Sequence, residues 1–309
     1  MRFLVLFVLV PMSLAAQSVI NVKTPVTSEK NRQKSFRPAT LALDHSARRA
    51  TVSGKEIGRL EIAYDSVEKV VIEPDVRVSY SAGAALAGFA VGGALVGGRI
   101  AASIDNPADM AHTVYLEYKK PDGSAAPLVV SVEKENVPAA LGGIKDAFGD
   151  RASISAFTET PEKLEIKRLA TAKVRLVVKG NMAEHPVPAM RSDKAMVVVA
   201  CPTGNGLDAV RLDKFQNWGA YVVVADQVIA VNAPGTYTFF YLDPGEYTLV
   251  SQAGDASGLR MKLEPGKDYY LIQTMYIAGT IKSFLTRHSK ELVMHEVRAL
   301  SWSEWKSRE

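Results

Sequence analysis

Apolar and polar residues alternate along much of the chain, and this pattern predicts a mainly β protein. Apolar side chains occupy every second position in residues 60–64, 114–118 and 128–132. Period-two alternation is typical of strands with one buried face. The turn residues 121–123, Pro-Asp-Gly, separate the last two segments and predict a hairpin there. We therefore expect these segments to lie in one sheet with a shared core.

One segment of the first half has helical spacing instead. Asn136 is a residue type that favours helix N-termini, Pro138 is tolerated in a first turn, and Gly149 suits a helix end. Between them, apolar residues recur at helical intervals: Val137, Ala140, Leu141, Ile144 and Phe148. The pattern predicts one amphipathic helix that closes the sheet.

Residues 78–103 interrupt the strand pattern with a Gly/Ala-rich insertion that has no charge between Arg77 and Arg99. The strands predicted on either side belong to one sheet, so a single membrane crossing would put them on opposite sides of a bilayer. We predict a hairpin bent near Gly92-Gly93, whose legs of roughly 18 Å are too short to cross. It would dip into one leaflet or pack on the protein surface. The residues assigned to membrane contact or helix packing are Ala84, Leu86, Gly88, Phe89, Gly92, Gly93, Leu95 and Gly97.

The first residues predict a signal peptide over 1–16. Arg2 supplies the positive start, 3–10 form an apolar core, and small residues precede cleavage after Ala15 or Ala16. The apolar core is too short to span a bilayer. We therefore expect export, and a periplasmic or envelope-associated location after cleavage.

Residues 17–39 contain few periodic apolar positions and predict a flexible leader. Cys201 is the only cysteine of the chain. It lies far from the cleavage point, which excludes lipidation there, and a single cysteine excludes an internal disulfide. We predict that it is an inert core thiol.

The second half of the sequence predicts a separate β-sandwich. Residues 151–171 are polar and predict a linker, 172–301 form the sandwich, and 302–309 a C-terminal tail. Two continuous apolar runs, 195–201 and 220–226, predict strands buried on both faces. Three Pro-Gly pairs predict tight turns between short strands: Pro234-Gly235, Pro244-Gly245 and Pro265-Gly266.

Two resemblances accompany these patterns. The segments IAYDSVEKVVIE and VYLEYKKPDGSAAPLVVSVEKENVPAALGGI resemble bacterial PH-like domains over residues 40–150. The segments YLDPGEYTLV and LEPGKDYYLI resemble an uncharacterised β-sandwich family of bacterial envelope proteins and lipoproteins over about 195–300. PH-like domains mostly bind lipids or proteins, so the first resemblance implies a binding role. The second implies an envelope location.

Composition argues against two classes of protein, a wholly disordered chain and a nucleic-acid-binding protein. With 47% hydrophobic and 23% charged residues, the whole chain is not disordered. The 37 basic and 33 acidic residues leave a net charge of +4 spread along the chain. No basic stripe for nucleic acid stands out.

No catalytic, cofactor or metal motif emerges from the residues. Asp44, His45 and Ser46 are consecutive and would point to alternating faces of a strand. His288 and His295 are seven apart and would lie on opposite faces of a common strand. We expect solvated or hydrogen-bonded histidines rather than metal ligands.

Three functional hypotheses remain open. The first is a non-catalytic envelope protein that binds or scaffolds at a membrane surface, with the membrane or an envelope protein as partner. The second is a hydrolase whose active site converges only in the fold. The third is a structural homo-oligomer held by the glycine zipper of the Gly/Ala stretch.

Overall fold

The computed structural model describes residues 17–27, 34–74, 111–155, 157, 159, 161–164, 174–202, 219–254, 256–278 and 280–307. These ranges are mainly β, which confirms the predicted fold class. The predicted signal peptide, the insertion 78–103 with all its assigned residues, and residues 203–218 lie outside the described residues.

The first half is built on one eight-stranded sheet with the order β4-β3-β2-β1-β7-β6-β5-β8. Neighbours pair antiparallel except β5 and β8, which run parallel. The predicted hairpin is β6–β7, with the turn at Asp122-Gly123. The strands are β1 (Gln17–Thr27), β2 (Lys34–Asp44), β3 (Arg49–Gly54), β4 (Gly58–Ala63), β5 (Val67–Pro74), β6 (His112–Lys119), β7 (Ala125–Val132) and β8 (Ala152–Ile154).

The predicted helix forms as α1 (Val137–Phe148) and closes this sheet. Gly149 ends it with a φ of 53°, a left-handed conformation that favours glycine. Asn136 makes no side-chain cap; its amide instead donates to the Asn21 carbonyl in β1. One buried apolar cluster joins α1 to the inward faces of seven strands, and the periodic residues 60–64, 114–118 and 128–132 belong to it or pack on it.

The second half contains a six-stranded sheet, β10-β19-β14-β11-β17-β18, and a five-stranded sheet, β13-β12-β15-β16-β9. A buried apolar cluster lies between them. The strands are β9 (Glu162–Leu164), β10 (Val174–Asn181), β11 (Ala195–Cys201), β12 (Ala220–Val224), β13 (Gln227–Asn232), β14 (Thr236–Leu242), β15 (Gly245–Gln252), β16 (Ala256–Leu263), β17 (Asp268–Ala278), β18 (Thr280–His288) and β19 (Ser301–Ser307).

A second helix, α2 (Lys290–Val297), covers the outer face of the six-stranded sheet. The sequence patterns did not predict it. Because of this cover, every residue of β11 is buried, as the continuous apolar run predicted. Tyr269 and Tyr270 are also both buried, one in each cluster, although strand alternation predicts one outward ring.

Two of the three Pro-Gly pairs form the predicted turns. Gly235 has a φ of 86° and Gly266 a φ of 65°, the positive values that a type II turn needs after proline. Gly245 is different, since it begins β15 and does not have a positive φ.

Three predicted segment assignments are wrong where the structure describes them. The leader 17–39 contains β1 and most of β2, which pair over eleven positions because Ile20, Val22 and Leu41 reach the core. The linker 151–171 contributes β8 to the first sheet and β9 to the second half. The tail 302–309 contains most of β19, which pairs with β10 and β14.

Candidate functional site

The two halves of the protein meet on the outer face of β5, β6 and β7. This face is buried there, at Val71, Tyr115 and Ser131 among others. α2 lies against it: the Tyr115 ring contacts His295 edge-on at 6.1 Å, and Val129 packs on the cluster that contains α2. The first half therefore covers the helix on the side away from the six-stranded sheet.

At this junction, the Glu73 carboxylate is bound by the second half of the chain. Its Oε1 lies 2.8 Å from His288 Nδ1, and its Oε2 accepts a hydrogen bond of 2.9 Å from the Ser289 backbone N–H. Glu73 comes from the end of β5, His288 ends β18, and Ser289 is the N-cap of α2. One carboxylate thus connects a strand of the first sheet with a strand and a helix start of the second half.

Thr286 completes a chain of three polar side chains. Its Oγ1 lies 2.8 Å from His288 Nε2 and 3.4 Å from the Ile272 carbonyl oxygen. The hydroxyl therefore has two uses: it donates to a neutral imidazole, or it accepts from a charged imidazole and donates to the Ile272 carbonyl. Glu73, His288 and Thr286 are each at most 3% exposed.

The pKa of Glu73 lies below its ordinary value. Burial acts in the opposite direction, because it disfavours the charged carboxylate. The hydrogen bond and charge of His288, together with the hydrogen bond from Ser289, outweigh that effect. Glu73 is therefore ionised at neutral pH and accepts a hydrogen bond from each of the two partners.

More exposed ion pairs surround this buried pair. Lys69 in β5 pairs with Glu291 in α2 across the junction, and both retain solvent contact. Arg287 pairs with Glu159 and lies over the rings of Phe157 and Tyr269, with centroids 5.0 and 5.2 Å away. The Lys69–Glu291 pair adds a contact between the halves but faces solvent, where ion pairs contribute little.

The order Thr286–His288–Glu73 is that of a hydroxyl, base and orienting acid in hydrolases. Such chemistry also needs access for a substrate and donors for an oxyanion. All three side chains are buried among packed elements. The hydrogen bonds of this arrangement connect the two halves of the protein.

The core of the first half contains a small cavity. It is lined by apolar residues such as Leu41, Val114 and Phe148 and has a volume of about 10 Å³. That is at most the space for one water molecule, and no polar group lines it. The cavity is therefore a dry packing defect of the core.

A second buried polar network lies between the sheets of the second half. Gln273 accepts a hydrogen bond of 3.0 Å from the Asn232 amide and donates to Ser251 Oγ at 2.9 Å. Ser303 donates to Asn232 at 3.0 Å, and Ser251 donates to Ser283 at 2.8 Å. Each of these groups has a partner, so the network joins strands of both sheets without leaving a group for a ligand.

The structure separates the residues singled out in the sequence. His288 ends β18 and His295 lies in α2, so the two histidines share no strand. Asp44 and Ser46 form a local turn contact at 2.6 Å, without His45. In the described ranges, no three His, Cys, Asp or Glu side chains form a metal-binding group.

Glu73 and Thr286 were not predicted as site residues. Glu73 directly follows the apolar run of β5. A carboxylate at the end of a strand that is buried was the one signal in the sequence that could have indicated a site residue here. Its partner is 215 positions away, and no local pattern links them. Separately, no helix in the described parts of the chain has the length and hydropathy needed to cross a bilayer.

Comparisons with known proteins return no relatives: no protein-family model, curated protein or solved structure matches the chain.

Proposed function

We propose that the protein is an exported, non-catalytic envelope protein that binds or scaffolds at a membrane surface. The observation that carries this proposal is the pairing of β5 with β6. Pro74, the last strand residue before the insertion, lies opposite His112, the first strand residue after it. The chain that contains the segment 78–103 therefore connects two neighbouring strand ends.

This connection suits a membrane-contacting hairpin. A segment that starts and ends at neighbouring strands returns to the same side of a bilayer, as the sheet requires.

Liposome flotation tests the proposal. The mature chain should float with vesicles, and a form with residues 82–102 replaced by a short Gly/Ser linker should remain in the dense fraction. A finer variant keeps the length and replaces Leu86, Phe89 and Leu95 by serine. Phe36→Ser removes an exposed apolar ring elsewhere and serves as control. Equal flotation of all forms would contradict the proposal.

One observation favours a second candidate, a hydrolase: the hydroxyl–imidazole–carboxylate order of Thr286, His288 and Glu73. An electrophilic phosphonate or β-lactone probe tests it in the native full-length chain. Labelling that disappears in Thr286→Val would favour the hydrolase. We expect no labelling, because Thr286 is buried.

A further inference from the structure

The buried pair at the junction has a simple charge balance. With one shared titratable proton, Glu73 and His288 are neutral together, either as carboxylate and imidazolium or as acid and imidazole. A second proton leaves a net positive charge on side chains that are 2% and 3% exposed. Removing charges from water without a counter-charge costs several kcal/mol per ion. The packed junction therefore accommodates the first proton far better than the second.

We propose that the Glu73–His288 pair makes the contact between the two halves acid-sensitive: a second proton separates α2 and the end of β18 from β5–β7, while each half keeps its own core. This inference is independent of the membrane role proposed above. It assigns the junction a conformational function, the acid-triggered exposure of an apolar face.

Each half has its own buried apolar cluster, so the junction can open without unfolding either half. The cluster of the first half contains Val70 and Ile72, which face inward from β5, whereas Val71 and Glu73 face the junction. The cluster between the two sheets of the second half contains no residue of the first half. Loss of the junction therefore removes contacts from the outer face of one sheet and leaves these two clusters packed.

The ion pairs near this buried pair are more exposed. Lys69 of β5 pairs with Glu291 of α2 across the junction, and Lys290 of α2 pairs with Asp268 of β17. Both carboxylates are at least 22% exposed and therefore tolerate protonation. Other titratable groups also lie near the junction: Tyr115 of β6, which Glu117, Glu291 and Arg298 approach, His295 and the buried Glu296 of α2, and Tyr270 of β17.

The direction of the pH dependence follows from Glu73. The pKa of Glu73 is lowered in the folded protein. The stabilising free energy that Glu73 contributes to the junction is therefore fully present above the ordinary carboxyl pKa. That contribution is lost as the pH falls through the lowered value. Opening is therefore expected in acid, below the range in which exposed carboxylates begin to take up protons.

Hydrogen exchange of the full-length chain as a function of pH tests the proposal, with protection factors corrected for the intrinsic exchange rate. In acid, amides of α2 should lose protection, while those of β6, in the sheet of the first half, and of β11, in the sandwich core, keep theirs. Loss of protection in the junction and in β11 at one common pH would show global unfolding and overturn the proposal.

Glu73→Gln is the decisive variant. Glutamine fits the same contacts, since its oxygen accepts from Ser289 and its amide donates to a neutral His288 Nδ1. Because the variant lacks the carboxylate, a single proton already leaves a net positive charge on the buried pair, so the opening midpoint should move to higher pH. An unchanged midpoint would overturn the proposal.

Two further variants complete the set. Glu73→Gln combined with His288→Asn removes both titratable groups, and the local opening should lose its pH dependence. Glu291→Gln removes an exposed carboxylate from the same junction, and its midpoint should match that of the unaltered protein. A shift in Glu291→Gln equal to that in Glu73→Gln would assign the effect to general surface charge and contradict the proposal.

Discussion

Glu73 lies on the outer face of the first sheet and is buried by the second half. Glu73→Ala should be among the most destabilising substitutions on that face. The side chain accepts hydrogen bonds from His288 Nδ1 at 2.8 Å and from Ser289 N–H at 2.9 Å. Alanine leaves both donors buried without an acceptor. Removing one member of a buried, hydrogen-bonded charge pair typically costs about 3–5 kcal/mol.

Lys69→Ala is the matched control. Lys69 lies in the same strand and also pairs across the junction, with Glu291, but its side chain is 46% exposed. Surface ion pairs contribute about 0–1 kcal/mol. The two variants therefore remove one inter-half ion pair each and differ mainly in burial.

Equilibrium urea unfolding at pH 7, followed by near-UV circular dichroism and by tryptophan fluorescence, measures both free energies. Trp302 packs between Tyr237 and Phe239 in the cluster that contains α2, so it reports on the second half. A loss below about 1 kcal/mol in Glu73→Ala, equal to that in Lys69→Ala, would refute the reasoning that burial sets the strength of this contact.

Three other predictions concern the interior. Cys201 should not react with a thiol reagent until denaturant is added, because burial raises the pKa of its thiol to about 12; rapid native labelling would contradict this. Gln273→Leu removes one hydrogen-bond partner from Asn232 and one from Ser251, and the Asn232 amide left buried without an acceptor should cost about 1–3 kcal/mol in urea unfolding. Gly142→Ala should stabilise the chain by about 0.5–1 kcal/mol, since its added Cβ meets open space on α1; a lower melting temperature would count against it.

Local physical rules determined much of the architecture. Strand alternation in 60–64, 114–118 and 128–132 identified the inward faces, because a half-buried sheet admits apolar side chains only at every second position. The left-handed conformations of Gly149, Gly235 and Gly266 follow from the absence of a Cβ. These features depend on neighbouring residues alone.

The errors arose where tertiary contacts outweighed composition. β1 has polar residues at most outward positions and two prolines in its hairpin with β2, which suggested a flexible leader. Its inward residues Ile20 and Val22 nevertheless complete the core. The short helix α2 has too few turns for a clear periodic signal, and it is stabilised by the sheets on both of its sides.

The sequence by itself determined strands such as β4, β6, β7 and β11, the helix α1 and two Pro-Gly turns, because each depends on side-chain periodicity or backbone freedom within a few residues. Only the tertiary structure decided the junction. It brought Glu73 within 2.8 Å of His288 across 215 positions of sequence. A buried carboxylate requires hydrogen-bond donors wherever the fold supplies them, and no local pattern records which distant strand that will be.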